Sequence, residues 1–191
     1  MAIEFYALMS RMRYITRWGL MRNIFSENIQ EHSHQVAVLA HALALIRRDI
    51  LKLDGPDPDR CAVAALYHDA SEILTGDLPT PIKYYNPDIK DAYKQVERIA
   101  GERLLSMLPE ALRESYRAYV MEDVGDMLPI VKAADKLSAY IKCVDEQKAG
   151  NTEFDSASAA TMQSMLDMDC PELNWFIENC LEPFRLNLDQ L

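Results

Sequence analysis

Apolar residues recur at three- and four-residue intervals along almost the whole chain, and no alternating run bounded by turns interrupts them. A sequence with this period folds into helices packed on helices, so the expected class is all-α. With 49% hydrophobic residues and six glycines in 191, the composition suits a packed helical body rather than a loop-rich one. A chain of this length buries roughly 70% of its unfolded surface in one core. No stretch rich in Pro, Gly or Ser divides it, so residues 1–191 read as a single domain.

The helix boundaries can be placed from caps and breakers. Asn28, with Glu31 three residues on, opens a helix that should run to about Leu51. Asp57-Pro58 supplies a cap and a first-turn proline for a second helix, expected to continue to about Thr75 and stop at Gly76. Asp77-Leu78-Pro79-Thr80-Pro81 reads as a rigid loop, because its prolines remove amides and fix the backbone. Further helices are expected over 88–107, over 109–123, and from Met127 to Ala149 with Asp126 as cap and Gly150 as stop. Two shorter helices follow in 151–191.

Within this apolar pattern, His68-Asp69 stands out in the run Ala64 to Glu72. An imidazole beside a carboxylate is costly to desolvate unless positive charge sits between them. His32 shares a core-facing stripe with Val36, Leu39 and Leu43, and Asp135 lies one residue off the apolar face Ile130, Ala134, Leu137, Ile141 and Val144. One core-facing His is ordinarily a hydrogen-bonded structural residue. Together, His32, His68, Asp69 and Asp135 bring two nitrogens and two carboxylates from separate helices, a ligand set for one divalent cation with positions left open. The metal-site core thus spans about 28–150. His34 and His41 lie on a different face and read as surface or supporting residues.

Glu72 follows His68 by four positions and Asp69 by three, which suits a general acid/base whose pKa is raised by neighbouring carboxylates. The segment Arg11 to Arg22 concentrates positive charge around Trp18, fitting a small phosphate-bearing ligand with an aromatic or sugar portion. Arg17 there would neutralise charge spread over phosphoryl oxygens. A net charge of −10 opposes binding to a nucleic-acid polymer. The apolar stretch from Val36 to Ile46 is too short to cross a bilayer, and Met1 to Phe5 lacks the start of a secretory signal, so a cytoplasmic protein is expected. Cys61, Cys143, Cys170 and Cys180 lack zinc-ribbon spacing and read as reduced thiols.

The order His, His-Asp, Asp resembles the HD-domain metal-dependent phosphohydrolases. The stretches Arg17-Trp18, Arg22-Asn23, Glu27-Asn28, Glu31-His32-Ser33, Tyr67-His68-Asp69-Ala70-Ser71-Glu72, Thr75 to Pro81 and Ala134-Asp135 are similar to the bacterial HD-domain 5′-deoxynucleotidases in particular. Gly19 stands where that family suggests a proline. The resemblance implies an HD helical bundle that hydrolyses 2′-deoxyribonucleoside 5′-monophosphates to deoxynucleosides and phosphate by attack of a metal-activated water. It further implies a homodimer and one divalent cation, cobalt, manganese or similar, held by His32, His68, Asp69 and Asp135. Arg17, Trp18, His32, Asp77 and Thr80 would contact substrate, with Glu72 and Arg17 catalytic. All four histidines lie at or before position 68, which leaves no imidazoles for a second cation. Two alternatives remain: an HD phosphohydrolase for a nucleoside triphosphate or another phosphomonoester, and a non-catalytic nucleotide-sensing module. The former would call for more Lys and Arg at the site than the sequence offers.

Overall fold

A computed structural model describes residues 3–83 and 85–191, except for the side chains of Thr80 and Pro81. The helices are α1 (Phe5–Met9), α2 (Ile29–Leu45), α3 (Pro58–Tyr67), α4 (Glu72–Thr75), α5 (Thr80–Lys83), α6 (Pro87–Ser106), α7 (Glu110–Val120), α8 (Leu128–Lys148), α9 (Asp155–Leu166) and α10 (Pro171–Cys180). Among the described residues there is no strand, only an isolated bridge between Thr16 and Asn28. The α2 helix packs against α3 and α8, and α8 packs against α9.

Local chemistry explains most of the boundaries. The Asn28 side chain accepts from the amides of Gln30 and Glu31, and that of Asp57 from Arg60, so both expected caps form. The α2 helix ends in a widened turn over Ile46–Ile50. Gly76 closes α4 with φ of 73°, a conformation that glycine adopts without strain. Asp126 is not a cap: it lies in a 3-10 turn, Gly125–Met127, and α8 starts at Leu128 with Pro129 in its first turn. The expected loop over 77–81 holds only to Pro79, since α5 starts at Thr80. Asn86 caps α6, which starts at Pro87, one residue before the expected range. The N-terminal helix α1 and the 3-10 turn after it carried no clear sequence signal.

The main correction lies at His68. The helix expected to reach Thr75 stops at Tyr67, and the chain turns tightly through His68–Ser71 before α4. His68 Nδ1 donates to the Ala65 carbonyl at 2.6 Å, the acceptor that a continuing helix would offer to the Asp69 amide. Successive i to i−3 bonds, such as Ala70 N to Tyr67 O at 2.9 Å, tighten the turn.

This turn runs between two apolar clusters. One contains Leu43, Ala64, Ala65, Leu137 and Ile141, and the other Phe5, Ala70, Leu104, Leu105 and Val120. Full burial of a Leu or Ile side chain contributes about 1.5–3 kcal/mol, so both walls of the junction are firmly held.

A third constraint fixes the segment before α2. Buried Glu146 accepts from the amides of Ile24 and Phe25 at 2.9 and 3.0 Å, from Asn151 at 2.7 Å, and from Lys142, which also donates to the Phe25 carbonyl. These bonds hold Glu146 at a pKa of about 2 against the upward push of burial. Replacing Glu146 with Ala strands a buried ammonium and two amides, so it should destabilise the fold by about 3–5 kcal/mol. Urea denaturation would read this loss, and Glu153→Ala, which removes only bonds from the amide and the exposed guanidinium of Arg22, should shift the midpoint far less.

Candidate active site

His32, from the first turn of α2, is completely buried, and its Nδ1 lies 3.1 Å from Ser138 Oγ on α8. The Ser138 hydroxyl proton points to Gln35 Oε1 at 2.7 Å, so the Ser138 oxygen accepts from Nδ1–H. His68 donates through Nδ1 to Ala65. Both rings therefore turn the lone pair of Nε2 inward.

Those two Nε2 atoms are buried and have no hydrogen-bond partner among the described residues. His32 Nε2 instead lies 3.0 Å from Asp135 Oδ1, and His68 Nε2 lies 3.2 Å from Asp69 Oδ2. A lone pair facing a carboxylate at that distance is repelled unless positive charge lies between them. His32, His68 and Asp135 each offer one ligand atom, all within 4.8 Å of one another. Adjacent ligands of an octahedral ion with bonds of about 2.1 Å are about 3 Å apart, so the donor set fits a divalent cation. Asp69 joins less symmetrically: its Oδ2 is 3.6 Å from His32 Nε2 and also accepts from Arg17 at 3.3 Å.

The charges follow from this crowding. Burial alone would raise the carboxyls of Asp69 and Asp135, but His68, His32 and Arg17 hold the former far below the ordinary range, and the His32 contact holds the latter at about 2. Burial alone would lower His68, and the carboxylates of Asp69 and Asp135 outweigh it, pushing the ring up to about 10 when no cation is bound. The cluster thus attracts positive charge, whether as a proton or as a metal.

Around this centre lie the remaining residues singled out in the sequence. Glu72 is 7% exposed, with Oε2 unpaired, and burial together with Asp69 and Asp77 pushes its carboxyl up to about 9. Arg17 is held between Glu27 and Asp69, which keep it charged despite burial. Trp18 donates its indole N–H to Glu27 at 2.8 Å and packs on Phe154 at 5.3 Å. These contacts hold it at φ of 59°, a left-handed conformation that is strained for a bulky residue. Gly19, where a proline was expected, is not left-handed, and a Cβ there would meet nothing within 4 Å. Asp77 shares a cavity of about 840 Å³ with Arg17, Trp18 and Asp135, and burial pushes its carboxyl above the ordinary range. The expected contact through Thr80 falls on a side chain outside the described residues. His34 is exposed, and His41 pairs with Asp59 at the surface, so neither reaches the centre.

A family model described as 5′-deoxynucleotidase YfbR-like matches residues 4–184. The 5′-deoxynucleotidase of Vibrio atlanticus (strain LGP32) is 46% identical, over 98% of this chain and 97% of that protein. The chain belongs to the YfbR-like 5′-deoxynucleotidase family. A relative from Photobacterium profundum, 5′-deoxynucleotidase PBPRA2627, is 47% identical, with coverage of 98% and 97%. Among solved structures, an HD-domain phosphohydrolase from Listeria innocua superposes with a TM-score of 0.78 at 22% identity, covering 95% of this chain and 88% of that one. The cyanophage S-2L HD phosphohydrolase DatZ, described as bound to dA and one catalytic Zn²⁺, gives 0.63 at 21% identity, with coverage of 90% and 93%. At these identities the superpositions show the HD fold.

Several residues of this YfbR-like site escaped the sequence reading. Glu27 stood within a family stretch, yet nothing in its spacing showed that one carboxylate would hold both Arg17 and Trp18. Ser138 follows Asp135 by three on one helix, a spacing that could have flagged it. Ser156, Ala157, Ala160, Thr161 and Ser164 of α9 wall the Trp18 cavity, which no motif foretold. The expectation of too few cations also fails: Lys83, Lys90, Lys94, Arg98, Lys132 and Lys136 line a second cavity that His68, Asp69, Glu72 and Asp135 also line.

The Glu72 shift has a testable sign. A carboxyl whose folded pKa lies near 9, above its unfolded value near 4.5, binds more protons folded than unfolded, so its contribution to stability falls as pH rises between those values. In chelator-treated protein, Glu72→Gln should remove a slope of up to about 1.4 kcal/mol per pH unit across that window. Urea titrations of both proteins at several pH values would measure it.

Proposed function

We propose that the chain is a metal-dependent 5′-deoxynucleotidase that hydrolyses 2′-deoxyribonucleoside 5′-monophosphates to deoxynucleosides and phosphate. The observation that carries this reading is the pair of inward, unpartnered Nε2 atoms facing Asp135, beside a cavity bordered by Arg17 and Trp18. The activity named for relatives about 46% identical over nearly the whole chain supports it. His32, His68, Asp69 and Asp135 would hold one divalent cation, cobalt, manganese or similar. Such a cation supplies Lewis-acid charge and lowers the pKa of coordinated water.

The chain's own groups do the rest. Arg17, fixed by Glu27 and Asp69, binds the phosphoryl oxygens and neutralises the charge that spreads over them as the P–O5′ bond breaks. Glu72 handles the proton of the attacking water at Oε2, its unpaired atom. Trp18, next to Arg17, stands against the sugar, with Asp77 and Thr80 as further substrate contacts. The enzyme acts in the cytoplasm on a nucleotide and neither a nucleic-acid polymer nor a membrane, and it does so as a homodimer, as the family resemblance implies. The net charge of −10 opposes a nucleic-acid polymer as partner, and among the described residues no helix is long and apolar enough to cross a membrane.

Phosphate release from a panel of deoxyribo- and ribonucleoside mono-, di- and triphosphates, with several metals, tests the reading. Preferential release from the deoxyribonucleoside monophosphates is expected, and no release from any of them would overturn it. Asp135→Asn should lower metal content and turnover together; full metal content with unchanged turnover would remove Asp135 from the ligand set.

Sugar selectivity gives a second test. An apolar wall rejects an added hydroxyl by only about 10²-fold. Trp18→Ala should therefore narrow the gap in kcat/KM between dAMP and AMP without abolishing hydrolysis of both, and an unchanged ratio would assign selectivity elsewhere.

A further inference from the structure

A second cavity, which shares Asp135 and Lys136 with the Trp18 cavity, measures about 540 Å³ and is lined by six of the twenty Lys and Arg residues of an acidic chain. Five of these cations form two helical stripes. Lys90, Lys94 and Arg98 recur every four residues on α6, and Lys132 and Lys136 do so on α8. Asp69, Glu72, Glu97, Glu122 and Asp135 line the same cavity, so its excess of positive charge is small and lies along the two helical stripes, where like charges at this spacing disfavour a helix slightly. Lys83 is paired with Glu97 at 2.8 Å, whereas Lys94, Arg98, Lys132 and Lys136 make no ion pair or hydrogen bond among the described residues.

Two observations tie this cavity to the reacting centre. Asp135 and Lys136 line both it and the Trp18 cavity, so the two meet at the metal cluster. Glu72, over nine-tenths buried with an unpartnered Oε2, lines the basic cavity and not the other. By contrast, the Trp18 cavity has only Arg17 and Lys136 as cations, against an aromatic ring and the small side chains of α9.

We infer that the basic cavity is a subsite for inorganic phosphate, taking the anion from the metal centre as it leaves while the nucleoside departs through the Trp18 cavity. This assignment rests on the proposed nucleotidase reading for the origin of the phosphate, although the binding itself can be measured without turnover. Hydrolysis forms one P–O bond from water, breaks P–O5′ and leaves the proton on the nucleoside oxygen, so two products of opposite character must separate. A highly charged tetrahedral anion and a neutral nucleoside find differing walls in the two cavities that share Asp135.

The test uses metal-loaded full-length protein and calorimetric titration with inorganic phosphate, with and without saturating 2′-deoxyadenosine. Phosphate should bind in both cases. In Lys94→Glu/Arg98→Glu, which alters two exposed side chains, its Kd should weaken by about tenfold while metal content and deoxyadenosine affinity hold. An unchanged phosphate Kd, or displacement of phosphate by deoxyadenosine, would overturn the proposal. A changed KM for dADP or dATP with phosphate affinity unaltered would also overturn it, assigning the cavity to the outer phosphates of a longer nucleotide. If no nucleotide is hydrolysed but the tenfold shift appears, the subsite stands and the nucleotidase reading falls.

Discussion

Buried imidazole lone pairs facing the partly exposed carboxylates of Asp135 and Asp69 are the constraint on which the rest of the site depends. His32 Nε2 and Asp135 Oδ1, 3.0 Å apart, repel each other unless a positive charge lies between them. The fold holds them there through contacts on the outer side of each ring. Ser138 and Gln35 fix His32, and the Ala65 carbonyl fixes His68. Hydrophobic burial supplies the rigidity, because the turn that carries His68 and Asp69 is held between two apolar clusters.

That turn also shows what a sequence reveals and what it hides. Apolar periodicity made the all-α class plain, and the Asn28 and Asp57 caps were legible because capping is a local interaction. The break at His68 was not legible, since neither Gly nor Pro marks it. A side chain competes there for a main-chain carbonyl, and its rotamer is set by the site. The convergence of His32, His68 and Asp135 could be read because polar groups on apolar faces need company. Glu27 and the α9 wall could not, because their roles depend on how distant segments pack.

Strain and charge are distributed unevenly around the centre. On one side, Trp18 is held in a left-handed conformation by an indole bond to Glu27 and a contact with Phe154. Such a conformation persists only where surrounding contacts over-determine it, which gives the ring a fixed place beside Arg17. The second cavity is bordered by helices α6 and α8, whose cations line a common space. A chain with an overall negative charge thus gathers six of its cations, with five carboxylates among them, around one cavity that reaches the centre.

The α8 helix gathers several of these functions onto one line. Asp135 faces the cluster, Ser138 orients His32, and Lys142 and Glu146 anchor the segment that follows Trp18, each about one turn beyond the last. The helix therefore acts as a ruler with marks every three or four residues. Inserting a single residue after Asp135 would rotate the later marks by about 100° relative to it. The histidine support and the loop anchor would then be lost together, although no ligand had been altered. A substitution on another face of the helix leaves these marks in register, whereas a change of length within it does not.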